Sequence, residues 1–294
     1  MKIITTKGLD ITVPKGSAFA YDTDPALPKA HMVNLTIGKR GAGKSVAVTN
    51  LINKLKFDRV LAISPTFKSN SQLMKSLNID PDDVFEDLDD PKIVDNVIAK
   101  VDAERDDLVR YNNEMREYRM LIKELKNGHS PVRDDTLLKF FYDNNFHPPQ
   151  HKYNGRNPFI ALLVDDAQGS KLFRDKKITG LVIKHRHLGS FEDDRPSIGI
   201  SPFFLVQNFR SQAGGISRAI RNNATNVILF KSKDETELKQ IASELSGEIS
   251  TEQFMKAYDM AMKDEPHAFL FIDMHPKREH PSGLRSKFNK FLIP

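Results

Sequence analysis

The sequence predicts a three-layer α/β fold on a mostly parallel central sheet, and three observations carry that expectation. Short continuous apolar runs recur along the chain and each stops at a polar residue, as strands covered on both faces do. Helical spacing of apolar residues fills several of the gaps between them. The octapeptide Gly38-Lys39-Arg40-Gly41-Ala42-Gly43-Lys44-Ser45 follows the first such run and precedes a helical pattern, so it fits G-x-x-x-x-G-K-[ST] in the required strand–loop–helix context.

Taken in order, residues 1–30 read as an extended N-terminal arm with turns at Pro14-Lys15-Gly16 and Asp24-Pro25. Residues 33–37 form the first buried strand. Beyond the glycine-rich loop, Val46, Val48, Leu51, Ile52 and Leu55 give residues 45–55 one apolar helical face. A second strand, 60–63, stops at Ser64-Pro65. Residues 91–126 are charged and helical, led by Ile93, Val94, Val97, Ile98 and Val101, with Pro91 at the start and Gly128 past the end. Residues 128–157 are rich in Pro, Asn, His and Gly around one short helix at 136–142. The stretch 91–157 therefore reads as a helical and irregular insertion within a core spanning 31–275.

Four further strands follow at 159–164, 203–206, 226–230 and 268–272, ending at Asp165-Asp166, Gln207-Asn208, Lys231 and Asp273. Residues 276–294 read as a basic C-terminal tail. Ligands of such sheets gather outside the carboxyl ends of the strands, so most of these polar stops fall where a site is expected.

Composition narrows the class. A hydrophobic content of 39% and a charged content of 28% are those of a globular protein. No apolar run approaches the ~18 residues that cross a bilayer, and the opening residues lack the apolar segment of a secretory signal. The absence of cysteine excludes disulfides, thiolate metal sites and a cysteine nucleophile. His185-Arg186-His187 lacks any further metal-ligand pattern. Net charge is +5, unevenly spread: residues 80–90 hold seven acids and no base, whereas 171–187 and the last twenty residues are basic. Clustered cations attract polyanions, which makes the two basic stretches candidate contacts for a polyanion.

The chemistry of the loop follows from its residue types. Glycines let the backbone close around phosphate oxygens, and the N–H groups from Gly38, Lys39, Arg40, Gly41, Ala42 and Gly43 on to Lys44, Ser45 and Val46 supply positive potential. Lys44 reaches the β- and γ-phosphates of ATP, and the Ser45 hydroxyl is a hard ligand for Mg²⁺. An apolar strand ending in Asp165-Asp166 supplies the partner acid, with Asp165 for the metal and Asp166 to orient and deprotonate water. A complete strand and a long helical region separate the loop from this acid pair. That spacing suits a P-loop NTPase of the additional-strand (ASCE, RecA-like) type, in which Gln207, with Asn208 as its immediate rival, would sense the γ-phosphate. Arg218 and Arg221, three apart on a helical segment, are candidates for an arginine finger from a neighbouring subunit, Arg221 first.

These segments, with Arg186-His187-Leu188, Phe204-Leu205-Val206-Gln207 and Ile216-Ser217-Arg218-Ala219-Ile220-Arg221-Asn222-Asn223 in that order, resemble the poxvirus-type DNA-packaging ATPases of nucleo-cytoplasmic large DNA viruses and related viruses, members of the FtsK–HerA superfamily. The resemblance covers roughly residues 31–275. It implies a homo-oligomeric ring, pentamer or hexamer, that hydrolyses ATP with Mg²⁺ and threads double-stranded DNA, without sequence preference, into a preformed capsid. It further implies a capsid or portal vertex protein as partner, and a place in the host cytoplasm, at the virus assembly site or in the virion. One departure is that the catalytic acid is often Glu in that superfamily, and Asp166 is one methylene shorter. A related motor or helicase with another substrate, and a slow P-loop nucleotide switch, remain the rival readings.

Overall fold

The computed structural model describes residues 23–67, 75–127, 134–210, 216–245, 249–263 and 265–293. Strand β1 (Asn34–Ile37) leads into helix α1 (Lys44–Leu55), then β2 (Arg59–Ile63) and β3 (Val84–Phe85). Helix α2 (Ile93–Asn127), helix α3 (Asp134–Phe140) and the small hairpin β4 (Phe141–Tyr142) and β5 (Asn145–Phe146) come next. The chain continues through β6 (Ile160–Val164), α4 (Lys176–Lys184), β7 (Ser201–Val206), α5 (Arg218–Asn223) and β8 (Asn226–Phe230). Helices α6 (Glu235–Leu245) and α7 (Thr251–Ala261) and strands β9 (Phe269–Asp273), β10 (Leu284–Ser286) and β11 (Lys290–Leu292) complete it.

Nine strands form one sheet in the order β11-β10-β9-β8-β1-β7-β6-β2-β3. From β8 to β3 all neighbours are parallel. Strands β9, β10 and β11 each run antiparallel to the strand before them, so Asp273 ends at the edge opposite Asp165. The mostly parallel, helix-covered sheet expected from the apolar runs is present. Alternation along each strand divides the core in two. Ile160, Leu162 and Val164 of β6 face a layer with α2, α4, α6 and α7, while Ala161 and Leu163 face Val48, Leu51 and Ile52 of α1.

Two sequence boundaries shift. The proposed insertion does not begin at residue 91, because Ile93, Val94, Val97 and Val101 of α2 belong to the main core. After Leu108 the only buried α2 residue is Leu121, so the helix leaves the core near its midpoint. A charged cluster pins the first half. Arg59 donates to both oxygens of Asp83 at 2.7 and 2.6 Å and to Glu104 at 2.5 Å, and Lys152 reaches Glu104 at 2.6 Å. Glu104 is 1% exposed, and those cations offset the cost of burying its charge.

The C-terminal stretch is no free tail: β10 and β11 extend the sheet, and Arg285 is buried between the rings of Phe271 and Phe291. This segment also holds the described part of the arm. Lys277 donates to the carbonyls of Thr23 and Asp24 at 3.0 and 2.8 Å, and Arg285 donates to Ala26 at 2.5 Å. The turn expected at Pro14-Lys15-Gly16 and the stop at Gly128 lie outside the described residues.

Candidate active site

Gly38 continues β1, and its N–H donates to the Val206 carbonyl at 3.1 Å, which sets the tip of β1 beside the tip of β7. There is no room for a side chain here, since a Cβ on Gly38 would stand 2.8 Å from Phe230 Cβ. The loop then turns into α1 at Gly43, whose φ of 100° is a left-handed value suited to glycine. Gly43 caps α1 without a side chain, and the first turn of α1 carries no acid. The N–H groups that open this helix are thus left for an external acceptor, and the helix dipole adds positive potential there. His267, from the loop before β9, braces the turn with Nδ1 at 3.0 Å from the Ala42 carbonyl.

Lys44 folds back over the loop and donates to the carbonyls of Gly38 at 2.8 Å and Lys39 at 3.3 Å. Burial pushes its ammonium below the usual lysine range, against the pull of Asp165 and Asp166. The Ser45 hydroxyl donates to Asp165 Oδ2 at 3.3 Å. Burial, and then the neighbouring Asp166, raise the Asp165 carboxyl above its ordinary value, while Lys44 and Ser45 act the other way. A half-buried carboxylate beside a hydroxyl is a hard-oxygen donor pair that fits Mg²⁺, whose positive charge would offset the repulsion from Asp166.

Asp166 is exposed, with a left-handed φ of 52°, and its Oδ2 accepts from Thr66 Oγ1 at 3.2 Å, just beyond the tip of β2. Gln207 stands at the tip of β7 with its side chain exposed, and its N–H donates to Gln168 Oε1 at 2.7 Å. Its neighbour Asn208 accepts a hydrogen bond from Lys39 Nζ. Because β7 lies between β1 and β6, Gln207 falls between the glycine-rich loop and the acid pair. Beside the loop opens a cavity of about 730 Å³ lined by Arg40, Phe230, Lys231, Asp234, Met262 and His267, large enough for a nucleoside.

The sequence-predicted residues Gly38 to Val46, Asp165, Asp166 and Gln207 thus meet at one sheet edge. Arg218 and Arg221 do not join them. Arg221 is 8% exposed, donates to the Ile216 carbonyl at 2.8 Å and pairs with Glu244 at 3.0 Å. The first choice for a finger is therefore engaged inside its own subunit, whereas Arg218 is exposed. Thr66, Gln168 and His267 were not foreseen. Thr66 follows a strand stop and Gln168 follows the acid pair, weak signals in hindsight, but nothing local marks His267.

Fold and site together define a P-loop NTPase of the additional-strand class, with the order β8-β1-β7-β6-β2 at its centre. No protein-family model matches the chain, and no curated protein matches it. Among solved structures it is similar to the genome packaging NTPase B204 from Sulfolobus turreted icosahedral virus 2 in complex with ATP-gammaS, at 13% identity over 87% of this chain and 96% of that one, TM-score 0.43. It is also similar to the pCW3 conjugation coupling protein TcpA, at 15% identity over 88% of this chain and 67% of that one, TM-score 0.43. A third is VirB4 of Thermoanaerobacter pseudethanolicus, at 13% identity over 89% and 90%, TM-score 0.41. These are likenesses of general outline, and the class rests on the strand order and the loop.

Proposed function

We propose that this chain is an ATP-hydrolysing motor that works as a homo-oligomeric ring and drives double-stranded DNA into a preformed capsid. The observation that carries the hydrolytic part is the position of β7, which brings Gln207 between the loop of Lys44 and the Asp165–Asp166 pair. The DNA and capsid part rests on the ordered resemblance of segments in the sequence.

In this reading the base and ribose occupy the cavity beside His267, and the phosphates lie on the N–H groups of the loop and α1. Lys44 releases its two carbonyl acceptors to bind the β- and γ-phosphates. Ser45 and Asp165 would hold Mg²⁺, which when bound would neutralise developing phosphate charge. Asp166 leaves Thr66 to orient the attacking water and take its proton. Gln207 donates to the γ-phosphate and accepts from that water. Arg218 is the trans-acting finger in place of Arg221.

The test is the ATPase rate with and without long duplex DNA, on protein sized by light scattering. A ring whose rate rises with duplex supports the motor. A monomer with slow turnover indifferent to DNA favours the nucleotide switch instead. Mixed rings of Arg218→Ala and Asp166→Asn subunits should regain part of the activity that each homomer lacks, since each supplies what its neighbour has lost.

A further inference from the structure

Where would such a protein hold its polyanion? The basic stretches singled out in sequence are partly neutralised in the fold. Lys171 pairs with Asp89 at 3.2 Å, Lys177 with Asp95 at 2.5 Å, and both Lys287 and Lys290 with Glu265. Lys277 and Arg285 are taken up by the arm.

The distal half of α2 differs. At 3.6 residues per turn, Asn112, Arg116, Arg119 and Lys123 fall within an arc of about 60° on the helix surface. Arg116, Arg119 and Lys123 are exposed, and none makes an ion pair among the described residues. The acids lie elsewhere: Glu114 and Glu117 face away, where Lys139 reaches them at 3.6 and 2.9 Å. This segregation leaves one face of the helix positive. It forms a wall of a groove of about 640 Å³, closed opposite by Asn154, Asp193 and Arg195. Arg195 is paired with Asp193 at 2.8 Å, so the opposing wall adds little net charge.

We propose that this α2 groove carries the phosphate backbone of a nucleic acid duplex, a reading that rests on the motor function above. The three cations span about 10 Å of helix axis, a length over which a duplex presents about six phosphates. The amides of Asn112, Asn113 and Asn154 line the same groove and supply neutral donors to phosphate oxygens without reading sequence.

The experiment compares duplex binding by fluorescence anisotropy across a salt series for three proteins. These are the wild type, the triple variant Arg116→Gln, Arg119→Gln and Lys123→Gln, and a charge-matched triple on the α4 side, Arg174→Gln, Lys176→Gln and Lys184→Gln. All six positions are exposed, and glutamine is a good helix former, so both variants keep the fold. Three lost phosphate contacts should reduce the slope of log K against log salt by about 2.7, equivalent to about 40-fold less affinity lost between about 50 and 200 mM salt. The α4 triple should change the slope by less than about 1. Nucleotide affinity should stay at the wild-type level in both.

Equal reductions in the two triples would mean that net charge alone matters, and would overturn the groove. So would wild-type binding with an unchanged slope in the α2 triple, or a change in oligomer mass with DNA binding intact, which would make this face a contact between copies. Wild-type protein that binds no duplex at any salt overturns the groove and the motor reading together.

Discussion

Replacing Lys44 by methionine probes the loop most directly, because the contacts of its ammonium are defined. Its two acceptors are the neutral carbonyls of Gly38 and Lys39, at 2.8 and 3.3 Å. Each contact is already a bond from a charged donor, worth about 1.5–3 kcal/mol, and an anionic phosphate acceptor takes it from the lower to the upper end of that range. Exchanging two carbonyls for two phosphate oxygens therefore gains about 2–3 kcal/mol, and Lys44→Met should weaken ATP binding about 30- to 150-fold. Inorganic tripolyphosphate should lose the same factor, since the contacts are to phosphate alone.

The wild type adds a pH signature. Burial holds the Lys44 ammonium below its usual range in the free protein, and bound phosphate favours the charged form. Affinity is therefore full while Lys44 is protonated and declines as pH rises through its lowered free-state value. Lys44→Met should lack that alkaline decline. Titration of a fluorescent ATP analogue across pH measures both effects. A loss smaller than about fivefold, or an alkaline decline retained in the variant, would refute the role given to Lys44.

Other outcomes follow from particular contacts. Asp165→Asn should raise the urea midpoint of the nucleotide-free protein at pH 7, because it removes a carboxylate that burial and Asp166 disfavour. The same change should lower hydrolysis by about 100-fold or more, seen in a phosphate-release assay. Arg59→Ala should destabilise by about 3 kcal/mol in urea unfolding, since Asp83 and Glu104 stay buried without their main partner. His31 is held neutral, its pKa lowered to about 4 by burial first and then by His185 and Arg186. That depressed value contributes stability fully present above pH 6.5 and lost as pH falls toward about 4, a difference of about 3 kcal/mol that His31→Gln should flatten in thermal melts.

The sequence made the catalytic edge legible because its signals are local. A run of four or more apolar residues ending in a polar one marks β2, β6, β7 and β8, while β1 is marked by Val33, Leu35 and Ile37 directly before the loop motif, which needs only eight neighbours. Strands β3, β10 and β11 escaped because two or three residues carry no periodicity. The same limit made β10 and β11 look like a basic tail. The engagement of Arg221 escaped for another reason. Its burial is decided by Glu244, on another helix, and no spacing along the chain announces that pair. His267 is equally nonlocal, since it reaches Ala42 from the far end of the sequence.

The bracing of the glycine-rich turn bears on the tempo of the cycle. With Phe230 behind Gly38, His267 against Ala42 and Asn208 tied to Lys39, the cradle is braced at three points by the protein itself. Little backbone has to be ordered at the moment of capture, so most of the entropic toll is absent and uptake should run near the rate of diffusive encounter. In the proposed mechanism any slow event in turnover would then belong to later movements, when Asp166 lets go of Thr66 or when spent nucleotide departs.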